Sequence, residues 1–163
     1  MRVFVGTDHA GLDFKDHLVR ALADAGHEPV DCGAFQYDPE DDYPPFCFEV
    51  GERTVLEPGS RGVVIGGSGN GEQIAANKVP GVRAALVWNP ETAQLARQHN
   101  DANVVSIGAR QHSVEEATEL VLEFLRTPFS GDERHARRIG LVTDYERDRR
   151  RPAGGLPTRA ENP

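Results

Sequence analysis

A single carboxylate, Glu72, follows a glycine-rich run, Gly66-Gly67-Ser68-Gly69-Asn70-Gly71. An apolar stretch, Gly62-Val63-Val64-Ile65, precedes the run, and a helix-like stretch, Gln73-Ile74-Ala75-Ala76-Asn77-Lys78, follows it. Strand, glycine turn and helix is how α/β proteins build anion sites: backbone N–H groups at the helix start face the ligand, and the helix dipole favours negative charge there. The spacing from Gly66 to Gly71 matches the first half of a nucleotide-binding loop. That loop would continue with Lys and Ser or Thr, whereas Glu72 and Gln73 stand here. A dinucleotide GxGxxG also fails, because its third glycine would fall on Glu72 or Ile74. A carboxylate would repel a triphosphate. Beside a cradle of amide donors it suits removal of a proton next to a carbonyl, with the resulting oxyanion held by the amides. The plainer reading is a tight turn with a first-turn glutamate that complements the dipole.

The elements that must position these residues alternate regularly. Val3–Val5 reads as a first strand, with a helix from Gly11 to Ala25 closed by Gly26. A short strand at Pro29–Cys32 follows, then an acidic loop, Asp38-Pro39-Glu40-Asp41-Asp42. Pro44-Pro45 opens a helix reaching Leu56, since proline suits the first turn. Val63–Ile65, Arg83–Trp88 and Val104–Ile107 are the remaining strands. A helix runs from Asn89 to about Gln98, and Ser113 to Glu116 fits a capping box for a helix ending at Arg126. A last helix spans Asp132 to Asp148. The order predicts an α/β domain over residues 1–150, a three-layer α/β/α Rossmann-like fold on a five-stranded parallel sheet. Residues 151–163, rich in Pro and Gly, read as a flexible tail.

In open parallel sheets ligands bind outside the carboxyl ends of the strands. Asp8 and His9 follow the first strand, Glu72 and its cradle the third, and Arg110 the fifth. Arg97-Gln98-His99-Asn100-Asp101 lies between a helix and the fifth strand, so spacing alone puts His99 and Asn100 nearer the opposite edge. Blander roles remain open. Asp8 suits a helix N-cap, His9 a packed ring, Arg110 a surface charge. Arg134 and Arg138, four apart on one helix face, are either a solvated face or a fork for one phosphate.

Eighteen basic and 26 acidic residues give a net charge of −8, which argues against nucleic-acid binding. No apolar run suits a bilayer, and the first residues lack the pattern of a signal peptide. Cys32 and Cys47 show no CxxC spacing and read as reduced thiols of a cytoplasmic protein. The six histidines show no metal-binding spacing, so no metal is expected.

Five motifs carry a resemblance that spacing alone does not supply. They are Gly6-Thr7-Asp8-His9-Ala10-Gly11, the glycine run with Ile74-Ala75-Ala76-Asn77-Lys78, Ala96 to Asn103, Gly108-Ala109-Arg110, and Arg134-His135-Ala136-Arg137-Arg138. Over residues 1–146 the chain closely resembles the type B ribose-5-phosphate isomerases and the related galactose-6-phosphate isomerase subunits. The resemblance implies an aldose–ketose isomerase without metal or cofactor, acting on a sugar phosphate as a homodimer or dimer of dimers with shared active sites. It implies His99 in ring opening with Asp8 assisting, Ser68 shuttling a proton, and Gly67, Gly69, Asn70, Gly71 and Asn100 around the substrate. His9, Arg110, Arg134, Arg138 and, more weakly, His135 would hold the phosphate. Many members carry a cysteine base where this chain has Gly66; others, notably actinobacterial ones, carry a glutamate at the place of Glu72. Both that comparison and the absence of any other acid in the cradle assign the base to Glu72. Ribose 5-phosphate is the expected substrate. Tetrose, allose and galactose phosphates, and a non-catalytic phosphate- or nucleotide-binding module, are the alternatives.

Overall fold

The structure is a computed structural model that describes residues 1–150; the expected tail at 151–163 lies outside the described residues. Five parallel strands form one sheet: β1 (Arg2–Thr7), β2 (Glu28–Asp31), β3 (Arg61–Gly66), β4 (Ala84–Leu86) and β5 (Val104–Gly108), in the order β2-β1-β3-β5-β4. Side chains alternate across the pleat. Val3, Val5, Val63, Ile65, Val105 and Ile107 therefore face one layer, made by α1 (Leu12–Asp24), α4 (Pro90–Asn100) and α5 (Val114–Arg126). Phe4, Val64 and Val104 face the other, made by α2 (Tyr43–Leu56) and α3 (Asn70–Ala76). The expected three-layer α/β/α architecture is what forms. Fully buried Leu18, Leu22 and Phe124 each contribute about 1.5–3 kcal/mol of transfer free energy to the first layer.

Strand order places the site. The chain leaves β1 for β2 at one edge, then returns past β1 to β3, so the connections diverge between β1 and β3. Their carboxyl ends are the crevice where an open α/β sheet receives a ligand. β1 ends at Thr7, just before Asp8, and β3 ends at Gly66, where the cradle begins.

Boundaries shift by a few residues from the sequence expectation. A 3-10 turn, His9–Gly11, comes before α1, because the Asp8 side chain accepts from the Ala10 N–H at 3.0 Å and caps it. α3 begins at Asn70, inside the glycine run. β4 has three residues. α4 continues through His99 to Asn100 and ends at Asp101 in the left-handed region, φ 42°. The last helix, α6 (Glu133–Asp148), packs on α4 and buries only His135 among its residues. No helix among the described residues is long and apolar enough to cross a membrane.

Candidate active site

Three turns converge on the β1/β3 crevice. Asp8, His9, Tyr43, Gly67, Ser68, Gly71, Glu72 and Arg110 are among the residues that line a cavity of about 460 Å³ there. The cradle is held from beneath. The buried Ser106 hydroxyl on β5 donates to the Gly69 carbonyl at 2.7 Å, and the Ala109 N–H donates to the Gly66 carbonyl at 2.8 Å. Gly69 has φ 81°, the left-handed region open to glycine, and a Cβ there would press on Leu86 at 2.6 Å. The Ser68 hydroxyl accepts from the Asn70 N–H at 3.3 Å.

Glu72 lies in the first turn of α3 and is 5% exposed. A Cβ on residue 66 would fall on its Oε1 and Cδ, and 2.5 Å from Oε2. The glycine at 66 thus makes room for the carboxylate, which occupies the space above the end of β3. Burial raises the pKa of Glu72 above the ordinary glutamate range; backbone N–H groups of the cradle oppose this, and the nearby charge of Asp8 adds to it. A buried carboxylate tuned upward beside a polar cavity has the character of a general base. No thiol competes for that role. Cys47 is close enough to feel Glu72 and Asp8, yet burial first and those charges second push its thiol well above the usual range. Burial pushes Cys32 up to about 11.

Asp8 caps the turn with one oxygen, as the N-cap reading expects, and the residue also lines the cavity. The His9 ring reaches Asp41 (Nδ1 to Oδ1, 2.6 Å). Arg110 is exposed at the mouth, its N–H donating to the Gly67 carbonyl at 3.2 Å. Asp8, His9 and Asp41 bring one ligand atom each within 4.8 Å of one another. With His9 Nδ1 committed as a donor to Asp41, this is a hydrogen-bonded cluster in its present form.

The remaining expected site residues lie elsewhere on the chain. His99, Asn100, His135 and Arg138, with Gln73, Asn77 and Leu86, line a second cavity of about 570 Å³ between α6 and the β4 edge. The two cavities share no lining residue. The spacing argument that removed His99 and Asn100 from the crevice holds within one chain. Buried Arg97 fixes their turn, donating to the Thr127 and Ala102 carbonyls and pairing with Asp101 at 2.8 Å. The rings of His99 and His135 stand 4.1 Å apart between centroids. Arg134 can only donate to His135 Nε2 (3.3 Å), so the other nitrogen, Nδ1, carries the hydrogen toward Ser130 Oγ (3.0 Å). Both nitrogens of His135 are engaged here, by Ser130 and by Arg134. Arg134 and Arg138 are exposed.

Tyr43 and Asp41 were not singled out by the sequence. The Tyr43 phenol lies against Gly71, 2.8 Å from where a Cβ would stand. Its only signal was a place at the start of a helix after an acidic loop.

A parallel three-layer sheet with this crevice defines a Rossmann-like α/β protein, and comparison with known proteins narrows it. The family model described as Ribose/Galactose Isomerase matches residues 3–142, and the chain belongs to that family. The ribose-5-phosphate isomerase B of Mycolicibacterium paratuberculosis is 55% identical over 152 residues, 93% of this chain and 96% of that protein. The Mycoplasma genitalium ribose-5-phosphate isomerase B, solved with bound ribulose 5-phosphate, superposes with a TM-score of 0.86 at 39% identity, covering 90% of this chain and 97% of that one. The type B ribose 5-phosphate isomerase of Trypanosoma cruzi gives 0.86 at 44% identity, covering 91% and 98%.

Proposed function

We propose that this enzyme interconverts ribose 5-phosphate and ribulose 5-phosphate through a cis-enediolate, with Glu72 as the base. The observation that carries the reading is the buried Glu72 carboxylate set in a glycine cradle at the β1/β3 crevice. Family membership supplies the reaction class, and its relatives' names the substrate.

Glu72 takes the proton from C2 and returns it to C1. Charge develops on the C1 and C2 oxygens between the two transfers. Backbone N–H groups from Gly67 to Gly71 are fixed before substrate arrives, so they receive that charge with little reorganisation. Ser68 moves a proton between the two oxygens. His9 and Arg110 hold the phosphate at the far end of the cavity. Proton transfer and backbone donors suffice for this chemistry, and it needs no cofactor.

The site is completed by a second copy of the chain. Its His99 acts on the ring oxygen with Asp8, Asn100 meets the sugar, and Arg134 and Arg138 close on the phosphate. Two cavities with complementary chemistry and no shared residue support this. So does α6, which leaves Leu141, Val142 and Tyr145 exposed. A homodimer, alone or paired into a tetramer, in the cytoplasm fits these features and the two unpaired thiols.

The test is Glu72→Gln, which keeps shape and removes basicity. Turnover of ribose 5-phosphate should fall at least roughly 10²-fold, and solvent-hydrogen exchange into C1 of ribulose 5-phosphate should fall with it. Inorganic phosphate should still compete. Near-normal turnover would remove Glu72 from the mechanism. A ten-fold preference for erythrose 4-phosphate, allose 6-phosphate or galactose 6-phosphate over ribose 5-phosphate would overturn the substrate alone.

A further inference from the structure

The loop joining β2 to α2 carries Asp41 onto His9, and the fold takes trouble to hold it there. At its base Lys15, 1% exposed, forms an ion pair with Asp31 at 2.7 Å and donates to the Ala34 carbonyl. Asp31 also accepts from the Gly33 N–H at 2.8 Å. Thr7, at the end of β1, exchanges backbone bonds with Gly33 and Ala34, each 2.8 Å. The loop is thereby fastened beside Asp8 and His9. Farther along, Tyr37 sets its ring edge-on to His9 at 6.0 Å. One oxygen of Asp41 then takes both the His9 backbone N–H at 3.0 Å and the ring Nδ1 at 2.6 Å. Its other oxygen, Oδ2, is buried with no partner among the described residues, and His9 is the one ion-pair partner of Asp41 there.

An ionised carboxylate only accepts, so Nδ1 carries a hydrogen whether the ring is neutral or cationic. The second nitrogen, Nε2, is then the one left for the cavity that His9 lines. The terminal oxygens of a sugar phosphate dianion, which has no O–H left, also only accept. A phosphate dianion bound at Nε2 therefore needs a hydrogen on that nitrogen as well, which makes the ring an imidazolium between two anions. A fixed negative charge behind it compensates that cation.

We infer that Asp41 is the positioning residue of the phosphate end of the site: it fixes the tautomer and direction of His9 and balances the imidazolium that phosphate binding requires. The inference rests on the reading that this cavity takes a sugar phosphate. Asp41 touches no reacting atom, so its effect belongs to binding.

Two measurements test it. In the wild-type protein, nitrogen-15 NMR of the imidazoles, with the His9 signals assigned by their loss in His9→Gln, should find neutral His9 as the Nδ1–H tautomer. The Nε2–H tautomer would overturn the inference, and the tautomer itself is read in the wild-type protein, with His9→Gln serving only to assign the signals. In kinetics, Asp41→Asn keeps an acceptor oxygen and removes the charge, whereas Asp41→Ala removes both. Hydrogen bonds to charged groups are worth enough to shift binding by about ten-fold or more. The KM for ribose 5-phosphate and the inhibition constant of inorganic phosphate should rise together by about ten-fold in Asp41→Asn and further in Asp41→Ala, with kcat within about two-fold. Unchanged constants in both variants, or a fall in kcat alone, would overturn it. A wild-type protein that neither binds phosphate nor turns over ribose 5-phosphate would instead defeat the substrate reading, while the tautomer result would stand or fall separately.

Discussion

Replacing Gly66 by alanine adds one methyl group at the point where the structure leaves no room for it. The new Cβ would overlap Oε1 and Cδ of Glu72 and stand 2.5 Å from Oε2. Ordinary contact begins near 3.4 Å, so even the farthest of these atoms must retreat by about 1 Å. The backbone of β3 cannot yield instead, because Gly66 is hydrogen-bonded into the sheet end and its carbonyl holds Ala109. The carboxylate therefore moves. A displacement of that size at a reacting group costs on the order of 10²-fold, or about 2.7 kcal/mol of barrier. We expect kcat/KM for ribose 5-phosphate, followed by ribulose 5-phosphate formation, to fall about 10²-fold in Gly66→Ala. The inhibition constant of inorganic phosphate should stay within about two-fold, since His9 and Arg110 are untouched. Glu72→Asp draws the carboxylate back by one methylene, about 1.5 Å. The double variant Gly66→Ala/Glu72→Asp should therefore lose much less than the product of the two single losses, as expected for residues that compete for one space. Activity of Gly66→Ala within about three-fold of wild type, or strictly multiplicative losses, would refute this account of why position 66 is glycine.

Two further outcomes follow from the site. The raised pKa of Glu72 means that the native state favours the protonated form, so stability is lost as pH rises from the ordinary glutamate range through the native value. Glu72→Gln should thus melt higher than wild type near neutral pH, the difference closing as pH falls through the ordinary glutamate range; a variant that melts lower at neutral pH would contradict the burial argument. Mixing inactive Glu72→Gln with inactive Arg138→Ala under subunit exchange should restore part of the activity, because hybrid dimers regain one intact site. No recovery, with hybrids demonstrated by mass spectrometry, would mean that each site is built from one chain.

Much of this was legible before the structure because the signals were local. A glycine run between an apolar stretch and a helical one fixes a strand–turn–helix, and the capping box at Ser113 marks the start of α5 where the structure has it. Asp8, the cradle and Arg110 could be assigned to one sheet edge because each follows a strand. What sequence left open depends on contacts between distant segments. Nothing local orders β5 between β3 and β4. Nothing local marks Lys15 for burial, yet Asp31 and the Ala34 carbonyl, brought in by the next connection, hold it inside. Asp41 was visible only as one charge in an acidic loop, because the path of that loop is set by Lys15 and β1. His99 and His135 are 36 positions apart, and only the return of α6 onto α4 brings their rings together.

That return has a consequence for how firmly the phosphate is gripped. In a lone chain α6 is the least anchored of the described helices: it buries His135, is tied by Ser130 at one end and by Glu146 to the Gly81 N–H (2.8 Å) near the other, and exposes most of what lies between. Such an element opens locally at a small fraction of the free energy that unfolds the sheet. The arginines that the proposed mechanism closes on the phosphate ride on it. On the proposed mechanism, substrate would stabilise the docked α6 by mass action, and the rate at which product leaves would be tied to how often this helix lets go.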